Sequence, residues 1–199
     1  MAVAALVLYL VWFLLAFGIR TLIAIRRTGD SGWRGLSAAR FTLEWCAGAL
    51  FTIALFVGFA APVADLTGLD PLLTAPVLRW AGIVVASLGV LLTLAAQLSM
   101  GDSWRIGVDE QERTTLVTDG AFALVRNPIF TAMVITAIGL MLIVPNVVAV
   151  VGLVALVVAL ELQVRGVEEP YLATVHGDVY RRYTRDVGRF VPRLGQHSA

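Results

Sequence analysis

The chain has 199 residues, 59% of them hydrophobic and 15% charged, with a mean hydropathy of +0.85. That is too apolar for a soluble domain wrapped in a charged surface, and several apolar runs approach the ~20 residues a helix needs to cross a bilayer core. The formal net charge is +1, and the single cysteine, Cys46, excludes an intrachain disulfide or a cysteine-cluster metal site.

The first apolar run, residues 2–25, ends at Arg26 and Arg27. It lacks a basic start and a small-residue cleavage site, so it reads as a retained span rather than a signal peptide. Residues 26–40, rich in Gly and Arg, read as a loop. The second span covers 41–63, with Glu44 in its first turn as an interfacial partner of Arg40 and Cys46 as a small buried core residue. A Pro/Gly/Asp turn over 65–76 leads to a third span over 77–100, so these two helices are expected to be antiparallel neighbours. Gly82 and Gly89 mark sites of close helix contact. Residues 101–127 form the longest polar stretch, with five acids and three arginines and no helical or strand period.

Two further apolar runs, 129–144 and 147–160, are separated only by Pro145-Asn146 and predict a helical hairpin with a tight outer turn. After Arg165 the pattern is mixed. Tyr171, Leu172, Val175, Val179, Tyr180 and Tyr183 recur at helical spacing among Asp178, Arg181, Arg182 and Arg185, as in an amphipathic helix on the membrane surface or capping the bundle. The expected fold is therefore an all-α integral membrane protein of about five transmembrane helices, helices 4 and 5 forming the hairpin, with a C-terminal amphipathic helix. All basic residues are arginine, and with Arg20 snorkelling to the interface all but Arg79 fall on one side of this topology. The excess of basic residues places that side in the cytoplasm and the N-terminus outside. A bacterial-type inner membrane is the expected location.

No glycine-rich dinucleotide loop or Walker loop is present, and His176 and His197 have no metal-ligand spacing, so no metal site is expected. The arginine excess is what topology alone requires, so it does not point to nucleic acid. What remains are two polar groups on the cytoplasmic side. One is 116–128 (LVTDGAFALVRNP), with Arg126 and Asn127 at the mouth of the fourth helix. The other is 165–169 (RGVEE), with Arg165, Glu168 and Glu169 where the fifth runs out. Such charges form either a surface ion-pair ladder or a site for a zwitterionic ligand.

These two stretches resemble the isoprenylcysteine carboxyl methyltransferase family and its phospholipid methyltransferase relatives. The family pattern runs LV-x-x-G-P-Y-x-x-x-R-H-P-x-Y-x-G, then R-x-x-E-E-x-x-L-x-x-x-F-G-x-x-Y-x-x-Y. Leu116, Val117, Gly120, Arg126 and Pro128 match the first half; Arg165, Glu168, Glu169, Leu172, Gly177, Tyr180 and Tyr183 match the second. The resemblance covers 101–192. It implies an S-adenosylmethionine-dependent enzyme with a cytoplasmic cofactor pocket that acts on a lipophilic small-molecule acceptor, the carboxylate of a prenylated or lipid-like molecule, with membrane lipids as its other partners. The cofactor positions it implies are Thr115, Leu116, Val117, Phe122, Asn127, Pro128, Ile129, Phe130 and Glu169, with Arg126 and Glu168 beside them. Arg165 takes the place of the acceptor-orienting arginine. Residues 1–100 would then carry the first three helices, and 101–199 the cofactor loop, hairpin and C-terminal helix, as one integrated domain.

Departures fall at Ala121-Phe122 for Pro-Tyr, Asn127 for His, Phe130 for Tyr and Ala132 for Gly. Two other readings stand beside this one. A membrane NADPH-dependent reductase of the sterol type would share the C-terminal half but needs more basic residues for the extra phosphate. A non-catalytic scaffold would fit Asn127 and Phe130, but has no need of both Arg165 and Glu169.

Overall fold

Inside a bilayer only the segment itself can satisfy its backbone N–H and C=O groups, so the apolar runs become helices. The computed structural model describes residues 1–29, 31, 41–100 and 116–196. Helix α1 (Ala2–Phe13) passes through a π turn (Leu14–Ile19) into α2 (Arg20–Thr28), which stops at Gly29 in the left-handed conformation, φ 75°. Helix α3 (Leu43–Leu66) starts on Thr42, whose hydroxyl accepts from Trp45 N–H at 3.2 Å. Helix α4 is Pro76–Met100. Helix α5 (Pro128–Ile143) opens on a proline, whose fixed φ suits the first helical position. Helix α6 (Val147–Gln163) runs through a second π turn (Val164–Glu168) into α7 (Glu169–Asp186).

Four of these helices are long and apolar enough to cross a membrane: Ala2–Arg27, Leu43–Leu66, Pro76–Met100 and the apolar first part of Val147–Asp186; Pro128–Ile143 is apolar but shorter. The outward faces carry exposed Phe56, Val84, Leu91, Leu98 and Val154, which suit lipid and not water. The chain is an integral membrane protein, and every element among the described residues is helical apart from an isolated bridge between Val125 and Gly188.

Packing follows the small residues. Helix α4 lies along α5, and α3 along α6, while α1 leans on α3, α4 and α5. A Cβ on Gly82 would come within 2.7 Å of Gly139 O, and one on Gly89 within 2.6 Å of Thr136 N; one on Gly139 would strike the backbone of Ala86. Gly82 and Gly89 are thus contact sites, as expected, and they let two backbones approach where apolar side chains give no preference over lipid. The hairpin turn is locked by Asn146, fully buried, whose side chain accepts from Ala149 N–H at 2.9 Å and donates to Ala61 O at 3.0 Å.

The structure departs from the sequence reading in three places. Helices α3 and α4 are not packed neighbours: their linker crosses the α5–α6 turn, with Leu72 N–H donating to Pro145 O at 2.7 Å, and the glycine faces choose α5 for α4 instead. Arg20 does not snorkel. It is 5% exposed, because the buried stripe Tyr9, Trp12, Ala16 recurs at helical spacing through it to Ala24. Cys46 is exposed, since α3 turns Ala47, Ala54 and Ala61 inward and leaves Cys46 on the lipid side. The C-terminal amphipathic helix is present as expected: α7 continues α6 through the π turn and is broken at Gly177, where φ is 51°. Glu44 is half-buried in the first turn of α3; its expected partner Arg40 lies outside the described residues.

Candidate functional site

The polar ends of α5 and α7 meet on one face of the bundle. Arg126, just before the proline that opens α5, is 6% exposed although it carries a full charge. Its guanidinium donates to Glu169 Oε1 at 2.8 Å and to three backbone carbonyls: Val187 at 2.6 Å, Gly195 at 3.1 Å and Thr184 at 3.3 Å. Glu169 also receives both arms of Arg189, Nε to Oε1 at 2.7 Å and an Nη to Oε2 at 2.8 Å. A planar guanidinium fits a carboxylate in this two-pronged way, and such charge-assisted pairs are stronger than neutral ones.

The C-terminal segment 187–196 is thereby strapped across the start of α5. Arg126 N–H donates to Gly188 O at 2.8 Å, and Asn127 gives both its backbone N–H (3.1 Å) and its side-chain amide (3.2 Å) to Arg189 O. The Thr131 hydroxyl lies 2.8 Å from Phe190 O, and the Tyr183 hydroxyl donates to Phe122 O at 2.6 Å. Gly188 is required where it stands, because a Cβ there would press to 2.8 Å on Arg193 N and Leu194 O.

Charge at this face follows from the pairing. Burial works against the Glu169 carboxylate, but hydrogen bonds from Arg189 and Arg126 outweigh it and hold the carboxyl below the usual range. Glu168 lies beyond the apolar part of its helix and goes the other way. Burial pushes it up to about 7, a hydrogen bond from Gln163 opposes the shift and the neighbouring Glu169 charge adds to it. A group whose folded pKa is depressed stabilises the fold above its unfolded value, and that stability is lost as pH falls through the folded pKa. The strap should therefore hold at neutral pH and loosen in acid, below the ordinary carboxylate range. Tail proteolysis measured against pH checks this; release beginning at neutral pH would contradict it.

The expected site residues are not all gathered. Phe122, Arg126 and Pro128 are buried, and Leu116, Val117, Asn127, Ile129, Phe130, Glu168 and Glu169 are half-buried; Arg126, Asn127 and Glu169 take part in the strap, and Phe122 O accepts from Tyr183. Thr115 lies outside the described residues. Arg165 stands apart: its side chain is 61% exposed and its Nε donates to Glu161. The sequence reading did not single out Arg189, Gly188 or Thr131. Their bonds use backbone carbonyls or a two-pronged arginine at long sequence separation, and neither leaves a local pattern.

A small cleft lies within the bundle, among α1, α3, α5 and α6. Its lining is apolar, including Leu55, Met133, Leu140 and Leu156, with Tyr9 and Trp12 as its polar-tipped members. The Tyr9 hydroxyl is satisfied, donating to Leu55 O at 2.7 Å. Among the described residues no group of His, Cys, Asp or Glu has the spacing to hold a metal ion.

Comparison with protein families matches the phospholipid methyltransferase model to residues 77–179, from the start of α4 through most of α7. A search of curated proteins finds no match.

Proposed function

The chain belongs to the phospholipid methyltransferase family, and from that premise we propose that it transfers a methyl group from S-adenosylmethionine to a membrane-resident acceptor, the carboxylate of a prenylated or lipid-like small molecule. The observation that carries this reading is that one molecule holds both a charged, strapped face at the start of α5 and an apolar cleft within its bundle. A cofactor that is itself charged and zwitterionic suits the first, and a hydrocarbon chain suits the second.

The residues present fit that cofactor. Phe122 and Phe130 offer apolar faces, Glu168 has a carboxyl bonded only to Gln163 (3.4 Å), and Arg126 Nε is a buried donor without an acceptor among the described residues. When bound, S-adenosylmethionine supplies a methyl group on a sulfonium, which passes to a carboxylate oxygen while the carbon–sulfur electron pair stays on sulfur, so no proton moves. The protein's part is then to hold the acceptor in line and keep water out. The strap closes the cytoplasmic side of the face. Glu169 acts on the cofactor by fixing Arg126 and Arg189. Arg165 exchanges Glu161 for the acceptor carboxylate and aims it.

Arg165→Ala is expected to lower turnover at least 100-fold, on the order of the loss of a charged positioning contact, with S-adenosylhomocysteine affinity unchanged. Equal loss of both would remove the division of roles. The arginine asymmetry of the loops supports a cytoplasmic orientation of the site in an inner membrane, with the N-terminus outside.

A second reading, N-methylation of an amine headgroup, is favoured by Glu168, whose pKa of about 7 suits a base that takes the proton an ammonium must lose. Tritiated S-adenosylmethionine offered with a farnesylated cysteine carboxylate, and separately with phosphatidylethanolamine, separates the two. A methyl ester releases labelled methanol in base and an N-methyl group does not. Base-labile label is the expected result, and base-stable label alone would overturn the carboxyl reading.

A further inference from the structure

We infer that residues 178–196 form a gate, hinged at Gly177, that swings off the start of α5 to let the water-soluble cofactor in and its spent form out; this rests on the S-adenosylmethionine reading above. Inside α7, Gly177 takes φ 51° and ψ −123°, which is not helical. A Cβ there would meet no atom within 4 Å, so the hinge has room to turn. Glycine crosses between positive and negative φ at little cost, and a few such positions absorb the backbone change when a lid closes.

Beyond the hinge the segment is held by polar ties, and among the described residues these converge on one short target. The carbonyls of Thr184, Val187 and Gly195 accept from the Arg126 side chain, and Arg189 O accepts from Asn127. Phe190 O lies 2.8 Å from the Thr131 hydroxyl, and the Tyr183 hydroxyl donates to Phe122 O at 2.6 Å. Arg189 grips Glu169. Each tie thus ends within 122–131 or on Glu169, the residue that opens α7. The side chains turned inward, Tyr180 and Thr184, carry hydroxyls, and Asp178, Arg181, Arg182 and Arg185 are exposed on the other side. A segment held in this way parts as a unit, because its opening frees mainly polar groups that water can satisfy.

The site needs such an opening. Phe122 and Arg126 are buried, and Arg126 Nε is enclosed although it is one of the groups offered to the cofactor. A charged cofactor arrives from water and cannot reach them while the ties are made. The same closure keeps water from the sulfonium once the cofactor is in, as lids do in enzymes whose product release is slow.

Two variants each remove one tie at the rim: Thr131→Val and Tyr183→Phe. In detergent, association and dissociation rates of tritiated S-adenosylhomocysteine are measured beside hydrogen exchange at the backbone amides of Arg126 and Asn127 in the unliganded protein. Those amides donate to Gly188 O and Arg189 O, so their exchange reports the open gate without any cofactor. In each variant both rates are expected to rise together by about fivefold, the weight of one neutral hydrogen bond. Amide exchange should rise by the same factor, and the dissociation constant should stay within about twofold of the native value. A faster dissociation alone, with affinity lost to match, would make the segment part of the binding surface and overturn the gate. Faster amide exchange with unchanged cofactor rates, or unchanged exchange in both variants, would overturn it as well. A native protein whose amides are protected as expected but which takes up no S-adenosylhomocysteine overturns the methyl-transfer reading, and the gate with it.

Discussion

Arg126→Met is expected to release the C-terminal strap and abolish binding of S-adenosylhomocysteine. The arginine is buried and holds two carbonyls of the tail, Val187 and Gly195, and that of Thr184 in α7, as well as Glu169. Methionine fills similar space but leaves those carbonyls without their donor and Glu169 with Arg189 alone. Removing one partner of a buried, hydrogen-bonded ion pair costs about 3–5 kcal/mol, a large part of the stability of an ordinary domain. Arg126→Lys keeps the charge but not the planar fork, so it should recover only part of the loss. Thermal unfolding in detergent and limited proteolysis of residues 187–196 measure this. A variant with a native melting temperature and a protected tail would show that the strap is held by something other than Arg126.

Gly139→Leu is the second large effect. Even a Cβ at this position meets the backbone of Ala86, and no rotamer relieves a clash at the first side-chain atom. The helices α4 and α5 would have to separate along their whole contact, where Gly82 and Gly89 lie equally close. Overpacking of a tight interface costs about 1–3 kcal/mol and at times more, and here it strikes the helix that carries Pro128 to Phe130 into the candidate site. Gly18→Ala is the control, since a Cβ there meets only Leu14 Cδ2 at 3.9 Å. The control should be neutral while Gly139→Leu lowers both the melting temperature and cofactor affinity. Equal behaviour of the two would contradict the packing account.

The spans and the glycine contacts were legible in the sequence because apolar run length and small residues act locally. The hairpin turn was equally plain, since Pro145-Asn146 interrupts an otherwise continuous apolar stretch and Asn146 caps α6. Partner choice among helices was not legible. The linker between α3 and α4 is short, yet it spans the α5–α6 turn, and only the shapes of the glycine faces decide that α4 joins α5. At the site, Arg126, Glu168 and Glu169 were found from charge at helix mouths. Their partners were not, because Arg126 bonds mainly to carbonyls and Arg189 lies 20 residues beyond Glu169. Four-residue spacing allows Arg165 to pair with either Glu161 or Glu169; in the structure it pairs with Glu161, and Glu169 takes Arg126 and Arg189. Gln97 and Trp12 looked like ordinary members of apolar helices, and Arg20 like a residue that reaches the interface. The burial of all three, and the lack of partners for Gln97 Oε1 and Trp12 Nε1 among the described residues, are properties of packing alone.

The most direct test of the methyl-transfer account is calorimetric titration of the detergent-purified protein with S-adenosylhomocysteine and, separately, with NADPH. Saturable binding of S-adenosylhomocysteine, lost in Arg126→Met, with no binding of NADPH, is the predicted result. Saturable binding of NADPH alone would contradict the account and place the protein with membrane reductases, and binding of neither by folded protein would leave a scaffold.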